Sequence, residues 1–283
     1  MPISRLIPLL AIMAAGILVA PLSLSAATLY QQNFVGISGN LGVHNWLGYQ
    51  SATAIPVTST SGSYRAGSIN NNGLPDTPGP PASASPAVAG YIFAQNYAIS
   101  TSGTVTTAAS NYFLHMNTTL PTILDLDGYS SLNIQWHQSA SNSNTSSRLA
   151  IQLDNGSWYV TNNTNTGPGS QGNTTFSAFN SNILTQNWYS LDFAPSFELA
   201  VDTSSLLNYN ALTGLGSNIT AVGIYIDSLP AAVATSVAGG TAESYITLRL
   251  DAITITGDLV PEPTRALLLS FALCGLLLHR RRS

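Results

Sequence analysis

Ile246-Thr247-Leu248-Arg249-Leu250-Asp251-Ala252-Ile253-Thr254-Ile255 is the stretch that decides the fold. Ile246, Leu248 and Leu250 share one parity and alternate with Thr247, Arg249 and Asp251. Successive side chains of a strand point to opposite faces, so the alternation predicts a strand with one face on a core. Ile253 and Ile255 then take the other parity. Both sets can face one core only if an extra residue is inserted between them. A β-bulge near Asp251-Ala252 supplies it.

The same period of two recurs upstream. Leu132, Ile134 and Trp136 alternate with Asn133, Gln135 and His137, and Leu149, Ile151 and Leu153 with Arg148, Ala150 and Gln152. Asp154-Asn155-Gly156-Ser157 turns the chain into Trp158-Tyr159-Val160, a hairpin with Asn-Gly in its loop. Tyr189, Leu191 and Phe193 form another set, as do Val222, Ile224 and Ile226. Residues 28–34, 91–93 and 112–116 are further strand candidates. No stretch keeps a 3.6-residue apolar period. Short alternating strands between polar turns predict an all-β, antiparallel β-sandwich over residues 28–259, one domain in size. Residues 67–90 carry five prolines and almost nothing to bury, which predicts a long surface loop. Residues 162–173 read as a second loop.

The two ends have a different character. Arg5, an apolar stretch over residues 6–24 and the small residues Ser25, Ala26 and Ala27 make a secretory signal peptide over residues 1–27. Signal peptidase is expected to cut near Ala27. At the other end Pro261-Glu262-Pro263 precedes an apolar run over residues 266–278, then His279 and Arg280-Arg281-Arg282. A helix of that run spans only about 20 Å against a hydrocarbon core of about 30 Å. The arginines supply a cytoplasmic stop by the positive-inside rule.

This order of Pro-Glu-Pro, short apolar helix and terminal arginines, over residues 260–283, resembles the PEP-CTERM sorting signal of Gram-negative bacteria. The resemblance implies that an exosortase, a membrane protease, recognises and cuts the tail. It implies a transient inner-membrane anchor through the 266–278 transmembrane helix, then release to the cell surface or extracellular matrix. Hosts of the family make exopolysaccharide and form biofilms or flocs, so exopolysaccharide is the implied partner. The family shares a tail rather than a fold, and nothing about the body's activity follows from it.

Leu29-Tyr30-Gln31-Gln32-Asn33-Phe34 and the run from Arg249 to Gly257 resemble the first and last strands of jelly-roll domains of the carbohydrate-binding-module type. The run from Asp125 to Leu132 is similar to the turn into their middle strands. The resemblance implies a jelly roll. It also implies a structural calcium between the first and last strands, held by Asp251 with Gln32 and Asn33. Those amides stand where such domains often carry an acid.

Composition narrows the chemistry. Only 7% of the 283 residues are charged and there is no lysine. Residues 28–259 hold three arginines against eleven acids, a net charge of −8. That leaves no basic footprint for nucleic acid. The single cysteine, Cys274, excludes a disulfide framework and a thiolate metal cluster.

His44, His115 and His137 read as surface or half-buried structural residues, and no Gly-x-Ser-x-Gly elbow occurs. Glycosidase chemistry needs two carboxyl groups flanking a sugar, and nothing fixes the separation of Glu198, Glu243 or the aspartates. No catalytic residue is assigned. Asp125-x-Asp127-Gly128 opens like an EF-hand loop but lacks its later ligands, so these acids read as turn caps. Trp46, Trp158 and Tyr159 are candidate glycan contacts through their aromatic faces; Trp158 and Tyr159 are adjacent, so one points out of the sheet. The expectation is an exported, non-enzymatic protein with a structural or glycan-contacting role and no resident cofactor. A secreted polysaccharide hydrolase or lyase is the alternative.

Overall fold

The structure, a computed structural model, describes residues 26–34, 39–41, 45–50, 68–70, 91–141, 144–166, 177–194, 198–238 and 240–260. The leader before residue 26, the sorting signal from Pro261 onward and most of the expected 67–90 loop lie outside the described residues. The first strands are β1 (Ala27–Gln32), β2 (Gly39–Asn40), β3 (Trp46–Gln50), β4 (Ser68–Asn70), β5 (Tyr91–Ser100) and β6 (Thr104–Thr106). Next come β7 (Ser110–Met116), β8 (Leu124–Asp125), β9 (Tyr129–Ala140), β10 (Ser146–Leu153), β11 (Trp158–Thr161) and β12 (Asn165–Thr166). The last are β13 (Ser177–Asn182), β14 (Trp188–Ala194), β15 (Glu198–Leu207), β16 (Asn218–Leu229), β17 (Val233–Thr235) and β18 (Ala242–Leu259). Among the described residues a short α-helix, α1 (Tyr209–Thr213), is capped by the Asn208 side chain, which accepts from the Ala211 N–H at 2.9 Å.

The strands form a seven-stranded and a nine-stranded antiparallel sheet, with β6 and β17 as a separate ribbon. The seven-stranded sheet runs β13-β9-β18-β5-β4-β2, with β1 also beside β18. The nine-stranded sheet runs β15-β14-β11-β10-β16-β7-β3, with β12 on β10 and β8 on β16. The expected antiparallel all-β sandwich is what the chain adopts. Three residues inside the expected 67–90 loop form β4, and two inside the expected 162–173 loop form β12.

Between the sheets lie the apolar parities that the sequence marks. Leu132, Ile134, Trp136, Leu248, Leu250, Ile253 and Ile255 come from one sheet, and Leu114, Leu149, Ile151, Val222, Ile224 and Ile226 from the other. Buried polar groups bridge the sheets: the Tyr112 hydroxyl donates to Asn96 Oδ1 at 2.7 Å and lies 3.0 Å from the Gln95 carbonyl oxygen. Ser147 donates to Gln138 Oε1. Pairing satisfies these groups, which would otherwise cost stability when removed from water.

The bulge sits where the alternation requires it. On β9, His137 stands opposite Asp251 and Gln135 opposite Thr254, so three steps on β18 match two on its neighbour. Ala252 takes φ +49°, the left-handed region. Here β18 also changes partner on its other side: Leu250 is its last residue paired with β5, and Ile253 pairs with Gln32 of β1. The Asn-Gly hairpin is likewise present, with Gly156 at φ +83° and β10 paired to β11.

Candidate functional site

Both sheets carry a second buried layer on the face turned away from the shared core. Directly paired residues of neighbouring strands share a face, so the register maps these layers. On the nine-stranded sheet one row runs Tyr189, Val160, Ala150, Gly223, His115, Leu47. The next runs Arg148, Tyr225, Phe113, Tyr49. Trp158 lies in a third row with Gln152 and Leu191.

The sheet curls around this face. In a flat sheet β11 and β7 would stand about 14 Å apart, three strand spacings. Yet the Trp158 ring centroid is 4.9 Å from that of Phe113 and 5.0 Å from that of His115. Small residues make the close approach possible. A Cβ on Gly223 would fall 2.7 Å from the His115 Cβ and 2.8 Å from the Leu114 carbonyl oxygen, so the floor admits only glycine there.

Within this cluster His115 is packed between Tyr49, at 5.4 Å, and Phe113, at 4.8 Å between centroids. Its Nδ1 donates to the Met116 carbonyl at 2.6 Å. Burial disfavours the imidazolium and pushes the ring down from 6.5 to about 4, the hydrogen bond opposing only in part. The ring is therefore a neutral packing element at physiological pH.

Arg148 lies in the Tyr225 row, its Nε 2.6 Å from Asp227 Oδ2 and one Nη donating to the carbonyls of Thr161 at 3.0 Å and Asn162 at 2.5 Å. Burial, and then the Asp227 charge, raises the Tyr225 phenol. The ion pair and the carbonyls engage Nε and one Nη of the guanidinium. What this layer does chemically is hold a curled sheet together.

The outer face of the seven-stranded sheet also carries a buried patch, and this one is largely polar. The register places His137 beside Asp251, Ser139 beside Arg249 and Phe93, and Thr247 beside Gln95. All of these are buried. Burial lowers the His137 pKa. The expectation of surface or half-buried histidines is thus corrected for His115 and His137, because both outer faces are closed to solvent where they sit. His44 lies outside the described residues.

The expected calcium set does not assemble. Gln32 stands opposite Ile253, whose side chain is in the shared core, whereas Asp251 stands opposite outward-facing His137. Gln32 and Asp251 therefore face opposite sides of the sheet. Asn33 follows the end of β1 and accepts from Gln31 at 3.1 Å. Among the described residues no three His, Cys, Asp or Glu converge as a metal site.

The three candidate glycan contacts are core residues. Trp46 is 0% exposed and packs edge-on against Phe34 at 5.5 Å; Trp158 and Tyr159 are each 5% exposed. Trp158 and Tyr159 do point to opposite faces, but both faces are covered, so neither ring offers a platform to a sugar. Asp125 acts as a turn cap, its Oδ1 accepting from the Asp127 N–H at 3.0 Å. Ala27 opens β1, opposite Gly257. Pro261, Glu262, Pro263 and Arg280, Arg281 and Arg282 lie outside the described residues. The aromatic layer of Phe113, His115 and Tyr225 escapes the alternation reading. Its available signal is Ala150 and Gly223, small residues on a parity that otherwise reads as solvent-facing.

No protein-family model matches the chain, and no curated protein matches it. Among solved structures it is similar to the catalytic domain of an endo-1,3-beta-glucanase (laminarinase) from Thermotoga petrophila RKU-1, at 11% identity and a TM-score of 0.32, over 83% of this chain and 98% of that one. It is similar to the apo Crh5 transglycosylase at 11% identity and a TM-score of 0.27, over 85% and 87% of the two chains. PfGH50B matches at 10% identity and a TM-score of 0.27, over 60% of this chain but only 22% of that one. These are distant likenesses, and no function passes from them to this chain.

Proposed function

We propose that this chain is an exported bacterial surface or matrix protein with a non-enzymatic, jelly-roll-type β-sandwich body and a PEP-CTERM tail. The leader over residues 1–27 takes it across the inner membrane. The apolar run over residues 266–278 then holds it there, because Arg280, Arg281 and Arg282 resist being drawn through the bilayer. Pro261 and Pro263 cannot continue a helix well and keep the intervening segment extended for an exosortase. Cutting there frees an acidic body for the cell surface or the exopolysaccharide matrix, where its role is structural or glycan-contacting.

The sequence feature that carries this reading is the succession of Pro-Glu-Pro, apolar run and arginines at the end of a chain that opens with a leader-like stretch. The fold supports it. The first described strand opens at Ala27, the last closes at Leu259, and the two pair with each other. A cut after Ala27 removes only the first residue of β1, and a cut beyond Leu259 leaves β18 whole.

The test is expression in an exosortase-bearing host followed by mass spectrometry of the surface and membrane fractions. Mature surface protein should lack Arg280, Arg281 and Arg282, and altering Pro261-Glu262-Pro263 should leave uncut protein in the membrane. An intact tail on mature surface protein overturns the processing claim. The purified body screened against a glycan panel, for binding and for reducing-end release, tests the role; turnover would overturn the non-enzymatic reading.

A further inference from the structure

The two ends of the body leave it at one pole, and that pole exposes a set of large apolar side chains. Ala27 pairs with Gly257 and Leu259 with Tyr129, and the Val260 N–H donates to the Gly128 carbonyl at 3.0 Å. Leu124 pairs with Ile219 and Asp125 with Asn218 at the same end of the nine-stranded sheet. Here the Leu126 N–H donates to the Ser217 carbonyl at 2.8 Å, and Asn155 Nδ2 to that of Leu215 at 2.9 Å. Four large apolar side chains stand exposed at this pole: Ile123 at 59%, Leu259 at 58%, Leu215 at 45% and Val260 at 44%. Water-exposed groups of this size gathered at one end mark an interaction surface.

We propose that this pole docks on the neutral headgroup interface of a lipid bilayer while the tail is inserted. The proposal rests on the membrane reading of the tail given above. The length of chain beyond the sandwich selects the partner. Only five residues, Pro261 to Arg265, separate Val260 from the apolar run that begins at Ala266. Fully extended, that connection reaches about 20 Å. A tether so short makes docking intramolecular, so a few exposed apolar side chains suffice to hold the pole down.

The exposed carboxylates of Asp125, Asp127 and Asp154 sit among those side chains. They disfavour anionic lipid and select neutral headgroups. The opposite end of the molecule, where Val105, Val233 and Val237 are exposed on and beside the β6–β17 ribbon, has no such tether and faces away.

The experiment uses the full chain in phosphatidylcholine–phosphatidylethanolamine vesicles containing lipid brominated near the headgroup. The native tryptophans 46, 136, 158 and 188 are all buried and give a constant background. Ile123→Trp should lose emission to the brominated lipid, whereas Val237→Trp should not. Replacing part of the lipid with phosphatidylglycerol should reduce the loss at position 123. A membrane-impermeant maleimide reports the tail independently through Cys274, inside the apolar run.

Protection of Cys274 without quenching at 123 overturns the docking proposal and leaves the membrane reading standing. Equal quenching at 123 and 237 overturns it as well, since the body would then adsorb without a preferred face. Stronger quenching at 123 in anionic lipid overturns the choice of partner. Full labelling of Cys274 overturns the membrane reading and the docking proposal together.

Discussion

Each sheet has a buried patch on its outer face, and the two patches are built from opposite chemistry. On the nine-stranded sheet the face is aromatic and aliphatic: Phe113, Trp158, Val160, Leu191 and Tyr225 around Ala150 and Gly223. On the seven-stranded sheet it is polar: His137, Ser139, Thr247, Arg249, Asp251 and Thr254. The first can be held by apolar burial alone. The second gains little from the hydrophobic effect and depends on its polar groups being paired. Burial in this sandwich therefore does not imply a core of one kind, and each face fails in its own way when disturbed.

The largest effect should come from the residue that keeps the polar face polar. Ala252 is the extra residue of the bulge, and inserting a second alanine after it would shift everything beyond it by one. Ile253 and Ile255 would turn to the outer face and Thr254 inward, because a one-residue slip moves each side chain to the opposite side. The insertion should abolish cooperative unfolding, read by near-ultraviolet circular dichroism and urea titration. A cooperative transition close to that of the native chain would show that β18 tolerates either register.

Next in size is the test of whether the aromatic face is a core in the energetic sense. Trp158→Ala should cost about 3–5 kcal/mol, the same range as Trp136→Ala in the shared core, since both remove a buried indole and leave a cavity. Equilibrium urea unfolding of the two variants makes the comparison direct. A loss under about 1 kcal/mol for Trp158→Ala would mean that the face is merely covered and carries little packing energy.

A smaller effect distinguishes the faces by pH. His115 has its pKa lowered in the fold, from 6.5 to about 4. Between those values the unfolded chain binds a proton that the folded chain refuses, so stability rises with pH across that window. The contribution is intact above pH 6.5, is lost as pH falls below it, and levels off below about 4. The full span is about 3 kcal/mol at 1.36 kcal/mol per pKa unit. His137 on the polar face shifts in the same direction. His115→Gln, which cannot titrate yet can still donate to the Met116 carbonyl, should flatten the stability profile more than His137→Gln. The reverse order would place the stronger desolvation on the polar face.

How much of this is legible in the sequence follows from which residues break the alternation. The shared core is legible because Leu132, Ile134 and Trp136, and the two parities of β18, are apolar against polar neighbours. The bulge is legible for the same reason, and so is the Asn155-Gly156 turn. β13 and most of β15 are not, since Ser-Ala-Phe-Asn-Ser-Asn has too little contrast between its faces to register as a strand. The outer layers are harder still. Trp158 and Tyr159 fit the rule that adjacent residues point to opposite faces, but nothing local says that both faces are covered. That closure is produced by β7, β10, β11 and β16 curling together, a tertiary event among residues far apart in the chain. It converts the expected glycan contacts into packing residues.

The smallest expected effect bears on the polar face alone. A calcium bound only by the folded chain would raise the melting temperature by mass action. Calcium takes six to eight oxygen ligands, so a buried aspartate needs several oxygen-bearing neighbours on its own side of the sheet. Asp251 is 1% exposed and stands beside His137 and two residues from Arg249, with Gln32 across the sheet on the opposite face. A guanidinium and an imidazole are poor company for a divalent cation, since one repels it and the other offers nitrogen. Melting in millimolar calcium and in chelator should therefore coincide. A calcium-dependent rise that disappears in Asp251→Asn would show instead that the bulge turns this carboxylate toward a ligand set, and the polar face would become a metal site.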